Sequence, residues 1–144
     1  MAQLDTHRGP LKKVATSRVG LWAPVAAYMV LIFALSSVSR LPEPPGALSD
    51  KHVHALVYAG LLVTVARALA RGSWEGLSPR ILATAWLVAT LYGASDEWHQ
   101  GFVAGRTSDV RDVAADAAGA ALAAVALWAC GIIARFRRAH VETR

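Results

Sequence analysis

Residues 112–134 read DVAADAAGAALAAVALWACGIIA. Alanine and leucine dominate and no period-2 alternation holds, so the stretch is a helix and not a strand. A helix rises 1.5 Å per residue, and about 20 residues cross ~30 Å of hydrocarbon. This segment is long enough to do so. Three further apolar segments precede it, at roughly 19–38, 52–70 and 81–98. The first spans easily. The second spans with His54 tolerated near the interface, and the third needs the run from Ile81 to Gly93 extended through Ser95. The pattern predicts an all-α, integral membrane four-helix bundle over residues 19–134. A tail of residues 1–18 precedes it and a basic tail, 135–144, follows.

The composition agrees. Apolar residues make up 55% of the 144 and charged residues 17%, against about 25% charged in an ordinary soluble domain. The net charge of +5 could suggest nucleic acid. The charges cluster at the ends of apolar runs, however, which excludes that partner and points to membrane lipids. Cys130 is the single cysteine, so no intrachain disulfide forms, and it is expected to be a small buried hydrophobe. Arg8, Lys12, Lys13 and Arg18 before residues 19–35 imitate a signal peptide. The run is longer than an h-region of ~7–15 residues, Pro24 interrupts it and no clear A-x-A site follows, so a retained membrane anchor is expected.

Three connectors separate the segments: a proline-rich loop at 40–49, expected to be extended, a short turn at 71–80, and 99–111 with two glycines. Eleven of the fifteen Lys and Arg residues lie before segment 1, between segments 2 and 3, or in the tail. By the positive-inside rule both termini are cytoplasmic, and residues 40–50 and 99–111 are outside. Seven of the ten acids fall on that outer side.

Polar residues concentrate there in two blocks. Asp50, Lys51, His54 and Tyr58 open the second segment, with Asp50, His54 and Tyr58 sharing one helical face. Ser49 or Asp50 is a natural N-cap, but His54 and Tyr58 lie within the span, where polar groups are expensive and usually functional. Interhelical hydrogen bonding is the plainer reading of His54. Asp96, Glu97 and Gln100 end the third segment, where the helix dipole disfavours anions, so capping cannot explain the two acids. They need a cation, a proton or a metal nearby; Arg106, Arg111, Lys51 and His54 are the available partners, and a structural salt-bridge network is the plainer reading. Asp109 and Asp112 can cap or face the start of the fourth helix; Asp116, one turn further in, cannot. Gly119 and Ala123 continue its stripe as a small-residue packing surface. His52 and His99 look interfacial. Asp, Glu and His suit Mg²⁺, Mn²⁺ or Zn²⁺, so a metal site is possible; but no HExxH or Cys/His ligand spacing and no nucleotide-binding glycine loop appears, so neither a metal nor another cofactor is the expectation.

These residues resemble the VanZ-like family. The motifs that carry the resemblance are Asp50-Lys51-x-x-His54-x-x-x-Tyr58, Asp96-Glu97-x-x-Gln100, Gly105-Arg106-x-Ser108-Asp109 and Asp112-x-x-x-Asp116-x-x-Gly119. The family pattern has Asn where this chain has Asp116. The resemblance implies a role in the bacterial cell envelope, as a multi-pass protein of the inner membrane. Its founding member is associated with low-level teicoplanin resistance, but the resemblance brings no settled chemistry. The leading expectation is a polar pocket at the outer face where Lys51 and Arg106 hold an anionic envelope component, such as a lipid-linked phosphate or precursor. Two alternatives stay open. One is a membrane-embedded hydrolase or transferase using carboxylates and His54, and the other is a structural or interaction protein. Whether any reaction is catalysed is left undecided.

Overall fold

A computed structural model describes residues 17–39 and 49–142, with side chains through residue 133. The expected extended loop at 40–48 and the tail at 1–16 lie outside the described residues. Among those described are four α-helices and no strand: α1 (Arg18–Ser36), α2 (Asp50–Leu69), α3 (Pro79–Gln100) and α4 (Val110–Glu142). A single 3₁₀ turn, Trp74–Gly76, lies between α2 and α3.

Each start has a local cause. The Ser17 side chain accepts from the Gly20 amide at 3.0 Å and caps α1. Ser49 caps α2, its own amide donating back to His52 Nδ1 at 3.1 Å. Ser78 caps α3, with Pro79 at the first helical position, where a missing N–H is harmless. Asp109 accepts from the Arg111 amide at 2.9 Å and caps α4. α1 runs through Pro24 without ending. α4 does not stop at residue 134, where its apolar run ends, but continues to Glu142.

Three helical stretches are long and apolar enough to cross a membrane: Arg18–Ser36, Asp50–Leu69 and Val110–Ile133. The 22 residues of α3 would cover about 33 Å. Its outer end, with Asp96, Glu97, His99 and Gln100, dilutes its apolar character, in line with its being the weakest apolar segment of the sequence.

α2 lies at the centre and packs on α1, α3 and α4, most extensively on α4. Leu61, Leu62, Val65 and Ala66 of α2 are fully buried, as are Ala85, Ala89 and Ala120. The outer surface is apolar too. Val30, Leu56, Leu91, Leu122 and Val125 are all more than 60% exposed. A soluble monomer rarely presents so much contiguous apolar surface; a bilayer solvates it. Cys130, expected to be buried, is on this exposed surface instead. Its segment is apolar because it faces outward, not because it lies in the core.

Small residues let the backbones meet. A Cβ on Gly119 would collide with the carbonyl and Cα of Ala55, so α2 and α4 approach closely there. Ala123 packs at the edge of the core. Without a hydrophobic drive between helices in lipid, such close approach and polar bonds hold them together. The Tyr92 hydroxyl donates to the Met29 carbonyl at 2.6 Å, tying α3 to α1, and Tyr28 donates to the Val57 carbonyl at 3.1 Å, tying α1 to α2.

Candidate functional site

The two polar blocks meet at the end of the bundle where α1 stops and α2 and α4 begin. They arrange into two connected groups.

The first joins α2 to α4. His54 Nδ1 lies 2.9 Å from Asp116 Oδ1, and Asp116 is 1% exposed. On its other side, His54 Nε2 faces Asp50 Oδ2 at 3.9 Å, too long for a hydrogen bond. A carboxylate–imidazole–carboxylate line thus runs from a buried acid to an exposed one. At the rim, Lys51 Nζ bonds Asp112 Oδ1 at 2.7 Å and Asp109 Oδ2 at 3.3 Å. The Arg111 amide and then the Lys51 ammonium hold the Asp109 carboxyl below its ordinary range, so it stays charged in the loop. Ligand atoms of Asp50, His54 and Asp112 all lie within 4.8 Å of one another.

The second group joins α3 to α1. Asp96 Oδ1 accepts from Ser36 Oγ at 2.7 Å and Oδ2 from Gln100 Nε2 at 3.2 Å. Its partners are neutral. Glu97 Oε1 accepts from the Asp109 amide at 2.5 Å, pinning the loop to α3. Arg106 reaches α1: Nε donates to the Val38 carbonyl at 3.1 Å and Nη2 to the Leu35 carbonyl at 3.3 Å. A cation there complements the negative end of the α1 dipole. Gly105 just before it has φ +82, a backbone shape L side chains rarely adopt; it turns the loop that carries Arg106.

Between the groups lies a cavity of about 90 Å³. Asp50, His54, Tyr58, Asp96, Gln100 and Arg106 supply its polar lining. Ser36, Ile32, Leu35, Val53 and Val57 complete it. The Tyr58 hydroxyl is buried in it beside Asp96.

The sequence-predicted residues thus divide. Asp50, His54, Tyr58, Asp96, Gln100 and Arg106 line the cavity. Lys51, Asp109 and Asp112 form a salt-bridged rim beside it, so Lys51 is already paired and does not line the pocket. Asp116 and Glu97 stand behind as buried supports, and Ser108 is exposed. Of the interfacial histidines, His52 supports the α2 cap, while His99 stacks on Phe33 at 4.5 Å between ring centres and meets Ser37. Sequence reasoning missed Ser36, whose signal was a polar Ser36–Ser37 pair ending the first apolar run. It also missed Gly93, where a Cβ would come within 2.6 Å of Asp116 Oδ2.

An all-helical bundle with apolar outer faces and a charged cavity at one end defines a small polytopic membrane protein. Its sequence matches the VanZ/LLP1 family profile over residues 19–133. The chain belongs to that family. No curated protein and no solved structure matches it.

Proposed function

We propose that this VanZ-family membrane protein binds the phosphate-bearing head group of an anionic cell-envelope lipid, or lipid-linked precursor, in the cavity beside Arg106. The observation that carries this is the guanidinium itself. Among the described residues it has no carboxylate partner, it retains N–H donors beyond the two given to α1, and it lines the cavity. The buried Tyr58 hydroxyl, beside Asp96, lines the same cavity. Both oxygens of Asp96 already accept hydrogen bonds, which softens its repulsion of an anion. About 90 Å³ falls well short of the several hundred Å³ of a small-molecule site, so a phosphate-sized fragment fits while the rest of the lipid stays in the bilayer.

A charge-assisted hydrogen bond contributes roughly 1.5–3 kcal/mol, or about 10–100-fold in affinity. Native mass spectrometry of the purified protein should therefore show a co-purified phosphate-bearing lipid. Arg106→Ala should reduce its occupancy about tenfold or more while the variant's melting temperature falls no further than that of Tyr92→Phe, which loses an α1 contact outside the cavity lining and should keep the lipid. An unaltered lipid complement in Arg106→Ala would refute the assignment.

A second reading draws on the His54–Asp116 bond. A carboxylate that fixes an imidazole beside a substrate cavity is an acid/base arrangement. Turnover of a lipid-phosphate substrate, abolished in His54→Gln, would favour a hydrolase or transferase over a binding protein.

Both readings place the cavity at the outer face of the bacterial inner membrane, with cytoplasmic termini. The support is the Lys/Arg asymmetry and the exposed Trp98–Phe102 pair, an aromatic anchor beside the cavity end. In a Cys130→Ala background, an impermeant thiol reagent applied to intact cells should label Gly46→Cys and spare Gly76→Cys. The reverse pattern would invert the topology.

A further inference from the structure

We propose that Asp50, His54 and Asp112 bind one divalent cation, Zn²⁺ or Mn²⁺, at the rim of the cavity. The site stands on its own geometry and does not depend on which head group fills the cavity.

Three observations converge. The first is the donor set. Two carboxylates and one imidazole, with ligand atoms mutually within 4.8 Å, form a three-ligand site with room for further ligands, and that chemistry suits Zn²⁺ and Mn²⁺. The imidazole is already oriented. Asp116 bonds Nδ1, which leaves Nε2 turned toward Asp50 at 3.9 Å. Metal-binding histidines are characteristically held this way by a carboxylate on the far nitrogen.

The second is an orphan. Glu97 is 4% exposed, yet its Oε2 is buried without any hydrogen-bond partner. It lies within electrostatic reach of Asp112 and His54. A buried carboxylate oxygen with no donor is costly. A cation held by its neighbours supplies the missing positive charge.

The third is the charge balance. Asp50, Asp96, Glu97, Asp109, Asp112 and Asp116 converge on this end of the bundle, against Lys51, Arg106 and Arg111. Acidic side chains thus outnumber the fixed cations at the membrane boundary. Lys51 offsets only part of this imbalance and engages one oxygen of Asp112, Oδ1; the carboxylate has a second. The sequence hid this site because Asp112 is remote along the chain from Asp50 and His54, so no ligand spacing announces it.

The test uses the untagged full-length protein in detergent, stripped with EDTA and titrated separately with Zn²⁺ and Mn²⁺ by calorimetry, with stoichiometry from native mass spectrometry. One ion should bind saturably per chain. Asp50→Asn and His54→Ala should each weaken binding at least tenfold, and Asp116→Ala should weaken it about 10–100-fold by releasing the imidazole. Asp50 is exposed and makes no short bond, so Asp50→Asn keeps the fold, which circular dichroism verifies, and it decides the matter even where His54→Ala destabilises the bundle. His99→Ala should bind as the wild type does. Absence of one-to-one binding of either ion, wild-type affinity in Asp50→Asn, or loss of binding in His99→Ala would overturn the site.

Discussion

Gly119→Ala should lower the melting temperature of the detergent-solubilised bundle by several degrees. The added methyl would land on the carbonyl and Cα of Ala55. Those are backbone atoms of a neighbouring helix and cannot rotate away, so α2 and α4 must separate. Overpacking of this kind costs about 1–3 kcal/mol. Asp116 lies about one turn before Gly119 on α4, so the same separation stretches the 2.9 Å contact with His54. Ligand binding should fall together with stability. Gly131 provides the internal comparison. No atom lies within 4 Å of a Cβ built there, and removing a helical glycine recovers up to about 1 kcal/mol of propensity. Gly131→Ala should melt at or above the wild type. If Gly119→Ala melted as high as Gly131→Ala, the close approach of α2 and α4 would not be holding the bundle.

His54→Ala should be the most damaging single change at the site. Asp116 is 1% exposed and its hydrogen bond is to His54. Removing the imidazole leaves that carboxyl buried without its hydrogen-bond partner, which costs about 1–3 kcal/mol and more where the group is charged. Asp116→Asn should be far milder, since the amide oxygen still accepts from the imidazole. The double variant, His54→Ala with Asp116→Asn, should recover a substantial part of the loss, because no buried charge remains to be compensated. Thermal melting of the three variants in one detergent measures the coupling. Equal melting of His54→Ala and the double variant would show that Asp116 does not depend on its partner.

The helices were legible because lipid imposes a crude requirement, apolar length, that a sequence displays openly. α1, α2 and α4 each overlap an apolar run. The start of α3 fell two residues early because the Ser78 cap and Pro79 extend it beyond the apolar stretch. α4 outran its apolar run because a helix propagates through Arg135 to Glu142 without needing hydrophobicity. Much of the site was legible too, for the same reason that polar residues near lipid stand out: His54, Asp96, Gln100 and Arg106 do line one cavity. Partnership was not legible. Asp96 and Glu97 were expected to need a cation, a proton or a metal, yet Ser36 and Gln100 hold Asp96, and a backbone amide meets one oxygen of Glu97 while the other stays bare. Neutral donors leave no charge pattern to read, and pairings 60 or more residues apart are set by how the helices dock.

The bonds that seat α1 have an asymmetry with a consequence for how the chain tolerates change. Tyr92 and Arg106 grip the carbonyls of Met29, Leu35 and Val38, and a carbonyl is common to every residue type. Replacement of those three side chains by other lipid-compatible ones leaves the acceptors in place. Loss of Tyr92 or Arg106 removes the grip outright. The acceptors at residues 29, 35 and 38 therefore survive changes of side chain, whereas Ile32, Phe33 and Ser36 of the same stretch hold their places with the side chains themselves.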